Sequence, residues 1–153
     1  MHVQVVDRES LRKGHFRNEK PYLLLAAYDP DKRPPRTEPG DHNGVGYLAF
    51  PITDTPNPDT PQAMTPGHAR AYAEMACYAQ ARQLAGGIVC ADEHGIHRSA
   101  ALAAALSDFF NDGAGGGKWV KAPYHPNPLV YRLLLAAFKA LAAEDAGKAV
   151  WAE

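Results

Sequence analysis

Apolar residues in this chain come in short runs separated by polar, proline-rich segments, and that spacing predicts most of the secondary structure. "HVQVV" and "YLLLAAY" are β-branched or continuous apolar runs, and "GYLAF" at 46–50 is a third, so all three read as strands. Between the second and third lies "DPDKRPPRTEPGDHNG", which carries four prolines and almost nothing to bury and therefore reads as a loop. From 65 to 84 the period changes to that of a helix. Thr65 suits the cap, Pro66 the first turn, and Tyr72, Met75, Ala76 and Ala79 share one face. Gly86 and Gly87 are expected to end it.

"GIVCA" is a fourth strand, apolar without alternation, as a central strand covered on both faces should be. The helix expected next, from about His97 to Phe110, has apolar residues all round its axis, so it should be buried. "GAGGGKW" reads as a flexible connector; it follows a helix, not a strand, and its spacing does not fit a nucleotide-binding glycine loop. Asn127 and Pro128 then supply a cap and first turn for a last helix bearing Val130, Leu133, Leu134, Ala137 and Leu141. Strands alternating with helices, without repeats or a long linker, predict a single α/β layered domain over residues 1–153. Its mostly parallel central sheet of four or five strands is flanked by helices.

Composition narrows the function classes. The 153 residues include 16 basic and 17 acidic side chains, a formal net charge of -1, so no overall field draws the chain to nucleic acid or anionic lipid and any anion site must be local. The two cysteines, Cys77 and Cys90, fit a cytoplasmic protein better than a secreted disulfide framework. "MHVQVVDRES" lacks the apolar centre of a signal peptide, and "LVYRLLLAAF" is short and contains Arg132, so a soluble protein without a membrane partner is expected.

The chemistry concentrates in "VCADEHGIHRSAALAAAL". A buried strand that reaches Cys90 and turns through Gly95 into a helix starting near Arg98 brings a thiol to the N–H groups of a helix N-terminus. Those groups bind anions and favour a thiolate. The arginine fork matches phosphate oxygens, and Ser99 can donate to the sulfur.

This stretch resembles the signature loop and following helix of the cysteine-dependent protein tyrosine and dual-specificity phosphatases. "PYLLLAAYDPD", "FPITD", "TPGHARAYAEMA" and "YHPNPLVYRLLLAAF" are similar, in order, to a strand and turn, the acid loop, the preceding helix and the final helix of the small bacterial and phage members. The resemblance implies a phosphatase-like fold and a phosphomonoester hydrolase working through a thiophosphate intermediate. Cys90 would be the nucleophile, Arg98 the phosphate clamp, Ser99 the thiolate partner, and Asp54 the acid, with Asp59 as second choice. Residues Ala91, Asp92, Glu93, His94, Gly95, Ile96, His97 and Arg98 would line the phosphate loop. The implied partner is a phosphorylated protein or small molecule; no cofactor or metal is implied, and nucleic acid is not indicated. Two departures stand out: seven residues separate Cys90 from Arg98 where the family has five, and Val89 occupies the place of the family's histidine.

Those departures motivate a second expectation, a catalytically inactive relative that captures a phosphorylated ligand or partner through Arg98 and the helix N-terminus. A third is a loop adapted to another phosphoester, such as a nucleotide, sugar or nucleic-acid end, or to another thiolate reaction. Cys90, His94 and His97 also have the spacing of a zinc set, the weaker reading because no second cluster accompanies them. Cys77 reads as core, and His68 and His125 as surface or capping groups.

Overall fold

The continuous apolar runs become the centre of a parallel sheet. The computed structural model describes residues 1–13, 19–37, 41, 43–111 and 116–152. Four strands, β1 (Val3–Asp7), β2 (Tyr22–Tyr28), β3 (Gly44–Pro51) and β4 (Ile88–Asp92), pair in the order β1-β4-β2-β3, all parallel. The two runs without alternation, β2 and β4, are the inner strands, and every residue of β4 is buried. The protein is thus a single α/β layered unit, as the pattern predicts.

Side chains alternate between two covered faces. Leu23, Leu25, Ala27, Ile88 and Cys90 point into the main core, with residues of α2 (Pro66–Ala81), α3 (Arg98–Phe110) and α4 (Pro128–Ala152). Tyr22, Leu24, Ala26, Val89 and Ala91 point the other way, onto Leu11 of a short helix α1 (Arg8–Lys13). The sequence pattern did not predict α1, whose six residues are too few to display a period. α3 is buried from Arg98 to Ser107, because its run of alanines brings its backbone close to the sheet on one side and to α4 on the other.

Capping follows expectation. Thr65 Oγ1 accepts the His68 N–H at 3.2 Å while His68 Nδ1 accepts the Thr65 N–H at 3.2 Å. Asn127 Oδ1 accepts the N–H groups of Leu129 (2.9 Å) and Val130 (3.2 Å) at the start of α4. α2 stops at Ala81, three residues earlier than the pattern predicts, and Gln83 takes a positive φ of 51°. Gly87 then passes so near β1 that a Cβ would lie 1.9 Å from the His2 carbonyl oxygen, at a φ of +68°. The glycine-rich stretch differs from a flexible connector where it is described: Gly116–Val120 is a 3-10 helix that buries Trp119, whose Nε1 donates to Ser107 Oγ at 3.2 Å. Residues 113–115 of that stretch, and 38–40 and 42 of the proline-rich loop, lie outside the described residues.

Candidate functional site

Cys90 is the third residue of β4, in register with Val5 on one side and Leu25 on the other, and β4 continues to Asp92 before the chain turns. Its side chain belongs to the main core and has no exposure. Burial pushes the thiol well above its ordinary value, and the nearby Asp92 charge pushes it further. The expected nucleophile is therefore a core thiol, two residues short of the strand end. Cys77, half-buried on α2, packs against the core as expected.

Ile88, Cys90 and Asp92 share one face of the strand by alternation, so Asp92 also points toward α3; being last, it reaches the helix N-terminus. One carboxylate spans the turn. Oδ1 accepts the His94 N–H at 3.1 Å and also the Gly95 N–H, and Oδ2 accepts the Ser99 N–H at 3.0 Å. Gly95 has a φ of +69°, and a Cβ there would stand 3.1 Å from the Asp7 nitrogen, so this turn against β1 requires glycine. Asp92 is 2% exposed.

Arg98 is buried and already paired. Nη1 donates to the Ile52 carbonyl at 2.6 Å and meets Asp29 Oδ1, at the end of β2, at 2.8 Å. Its Nε and the Ser99 Oγ are both buried and have no partner among the described residues. Glu93 is likewise folded inward: Arg8 grips it through Nε at 2.7 Å and Nη2 at 3.0 Å, the Asp29 N–H donates to it at 3.3 Å, and Lys32 stands at 3.9 Å. Burial by itself would raise the Glu93 carboxyl, yet Arg8, Asp29 N–H and Lys32 together hold it below the usual carboxylate value.

Asp54 does reach the loop. Its Oδ2 lies 2.6 Å from His97 Nδ1 and its Oδ1 accepts from Asn127 Nδ2 at 2.8 Å, which ties the segment after β3 to the cap of α4. Asp59 is exposed and its N–H donates to Asn57 Oδ1, a turn contact away from the loop. Ala91 is buried on the opposite face from Cys90, and Ile96 contributes its carbonyl to the His125 N–H at 3.0 Å. His94 and His97 are exposed while Cys90 is sealed in the core, so the three do not converge on a metal. Among the described residues no group of three or more His, Cys, Asp or Glu is placed to hold one.

No protein-family model matches the chain, and no curated protein matches it. Solved structures do. Human DUSP28 superposes with a TM-score of 0.59 at 19% identity, covering 93% of this chain and 94% of that one. The human tyrosine phosphatase-like serine/threonine/tyrosine-interacting protein gives 0.60 at 16% identity, covering 92% and 93%. The chain has the protein tyrosine phosphatase fold. PTPMT1 in complex with PI(5)P gives 0.55 at 15% identity, over 94% of each chain.

Within the phosphatase fold the loop spacing acquires a different origin. Glu93, His94, Gly95, Ile96 and His97 are the five residues between Asp92 and Arg98, so the family's interval is kept if it is counted back from the arginine. Ala91 and Asp92, the two residues that follow Cys90, are the last two of β4.

Proposed function

We propose that this chain is a non-catalytic domain of phosphatase fold, one that acts by binding rather than by turnover. The observation that carries the reading is the Asp92 carboxylate at the strand end, hydrogen bonded at both ends of the loop, with the nearest thiol in the loop strand buried two residues back. Thiophosphate chemistry requires an ionised sulfur within near-attack distance of phosphorus, about 3 to 3.5 Å. A protonated thiol inside the core offers neither the charge nor the approach. The Asp92 carboxylate is held by three N–H groups of the turn, two on one oxygen and one on the other, which fixes it in place.

The remainder of the constellation is consistent with this reading. Arg98, the expected clamp, is neutralised by Asp29, and Glu93 by Arg8 and Lys32. Asp54, the expected acid, binds His97 and Asn127, and so serves as a strut between the loop and α4. One of the structural neighbours is itself described as a phosphatase-like interacting protein, which supports binding as an occupation of this fold. A phosphorylated partner is the class that the loop architecture was expected to recognise; in this chain Asp92 already satisfies the amides that such a group would use.

The test is turnover of a generic aryl phosphate by the purified chain, alongside Cys90→Ser. No release above the protein-free control is expected for either. A rate in the wild type that vanishes in Cys90→Ser would overturn the proposal and restore the cysteine mechanism.

A further inference from the structure

α3 begins without a cap of its own. His97 stands at the N-cap position and makes no side-chain hydrogen bond there, although Ser, Thr, Asp or Asn usually fills this role. Arg98, the first helical residue, adds positive charge to a helix end that is already positive. Both deficits are made good from a distance. The Asp92 carboxylate takes the Ser99 N–H with one oxygen and the His94 and Gly95 N–H groups with the other. These are donors from both ends of one turn, converging on a single anionic group.

Two donors in the same turn are left over. Arg98 Nε and Ser99 Oγ are buried and unpartnered among the described residues, on side chains 3% and 0% exposed. An unsatisfied buried donor costs free energy, and more when it is charged. A planar carboxylate has two oxygens, and here each is already engaged with the backbone. A tetrahedral oxyanion has additional oxygens and a greater charge, and so accepts from more donors than a carboxylate does.

On the basis of the non-catalytic reading above, we propose that Asp92 is an internal occupant of an oxyanion cradle: a carboxylate of the chain stands where a free oxyanion would sit, and keeps the cradle closed to inorganic phosphate. The turn is thereby held in one shape without any ligand. Phosphate would have to displace a carboxylate covalently attached to the strand below it, and do so with three further carboxylates on the loop or tied to it: Glu93 within the loop, Asp29 on Arg98 and Asp54 on His97. Removing the Asp92 carboxylate should open the cradle without altering the donors that surround it.

The experiment compares wild type with Asp92→Gly, Asp92→Ala and Asp92→Asn, using inorganic phosphate as probe, read by calorimetric titration and by the melting temperature across a phosphate series. Wild type should show no saturable binding and no shift. Asp92→Gly and Asp92→Ala should melt lower without phosphate, regain melting temperature as phosphate is added, and bind it at least about tenfold more tightly than wild type, the change expected from removing one competing charge in a buried site. Asp92→Asn keeps the shape but has a donor in place of one acceptor, so it should fall between them. Equal phosphate binding by wild type and Asp92→Gly would overturn the proposal. So would folded variants that ignore phosphate, or variants that fail to fold and are not rescued by it, since Asp92 would then be only a structural cap. Turnover by wild type would sink the non-catalytic reading by itself, whereas these outcomes sink the occupant role and leave that reading standing.

Discussion

Removal of Arg8 is the perturbation whose size follows most directly from the structure. Arg8→Ala deletes both guanidinium contacts to Glu93, a carboxylate whose side chain is 3% exposed while that of Arg8 is 26% exposed. Breaking a buried pair from one side typically costs about 3 to 5 kcal/mol, because a charge is left in a poorly solvated place. Glu93 keeps the Asp29 N–H at 3.3 Å and Lys32 at 3.9 Å, and Arg8 is partly wet, so the cost falls at or below the lower end of that range, about 2 to 3 kcal/mol. For a domain of this length each kcal/mol moves the melting temperature by about 2 to 4 °C, which predicts a drop of roughly 5 to 10 °C at pH 7. The sign of the pH dependence also follows. Glu93 has a folded-state pKa below its unfolded value, so its contribution is fully present above the unfolded carboxylate pKa and is lost as pH falls through the folded one. Arg8→Ala should therefore flatten the acid limb of stability, and the double variant with Glu93→Gln should recover much of the loss. Denaturant titration at neutral and acid pH provides both readings. A loss under about 0.5 kcal/mol at pH 7, the range of an ordinary surface substitution, or an unchanged acid limb would refute the reasoning.

Three further outcomes are expected. Cys90→Ser places a hydroxyl in the core where the thiol packs, at a cost of about 1 to 3 kcal/mol, and a thiol reagent at neutral pH should label Cys90 only once the chain is unfolded; labelling of the native protein at Cys90 would contradict its burial. Gly95→Ala combines a left-handed backbone with a Cβ 3.1 Å from the Asp7 nitrogen, so it should lose about 1 to 2 kcal/mol for the backbone alone and more for the contact; a melt matching wild type would count against that geometry. Asn127→Ala removes the cap of α4 together with the tie to Asp54, about 1 to 2 kcal/mol in chemical denaturation, and an effect within error of zero would show that the cap carries no weight.

The fold was largely legible because its signals are local. "YLLLAAY" and "GIVCA" lack alternation, and both are inner strands; the alanine-rich stretch after Arg98 is apolar all round, and α3 is buried. The site was half legible. Gly95, Arg98 and Ser99 are recognisable by spacing, and Asp54 by its place after the third strand. What stayed hidden depends on where β4 stops. Cys90 and Asp92 have the same parity, so pattern alone assigns both to the same face, and only the strand's length decides which one meets the helix. The partners of Arg98 and Glu93 were equally out of reach, since Asp29, Ile52 and Arg8 arrive from distant segments that only the tertiary fold brings together.

The strand order has a consequence for how the chain must assemble. β1 is the first strand to be synthesised, yet its neighbour is β4, with Val3 opposite Ile88, and β4 is also what links β1 to the β2–β3 pair. A nascent chain that has not reached Ile88 holds two unfinished edges and no seam between them. Such non-local pairing slows folding in general, because the loop must close before any contact rewards it. Emergence of the short segment Ile88–Asp92 is therefore the event that commits the N-terminal part of the sheet, and a stall in translation just before it would leave β1 waiting with its backbone unpaired.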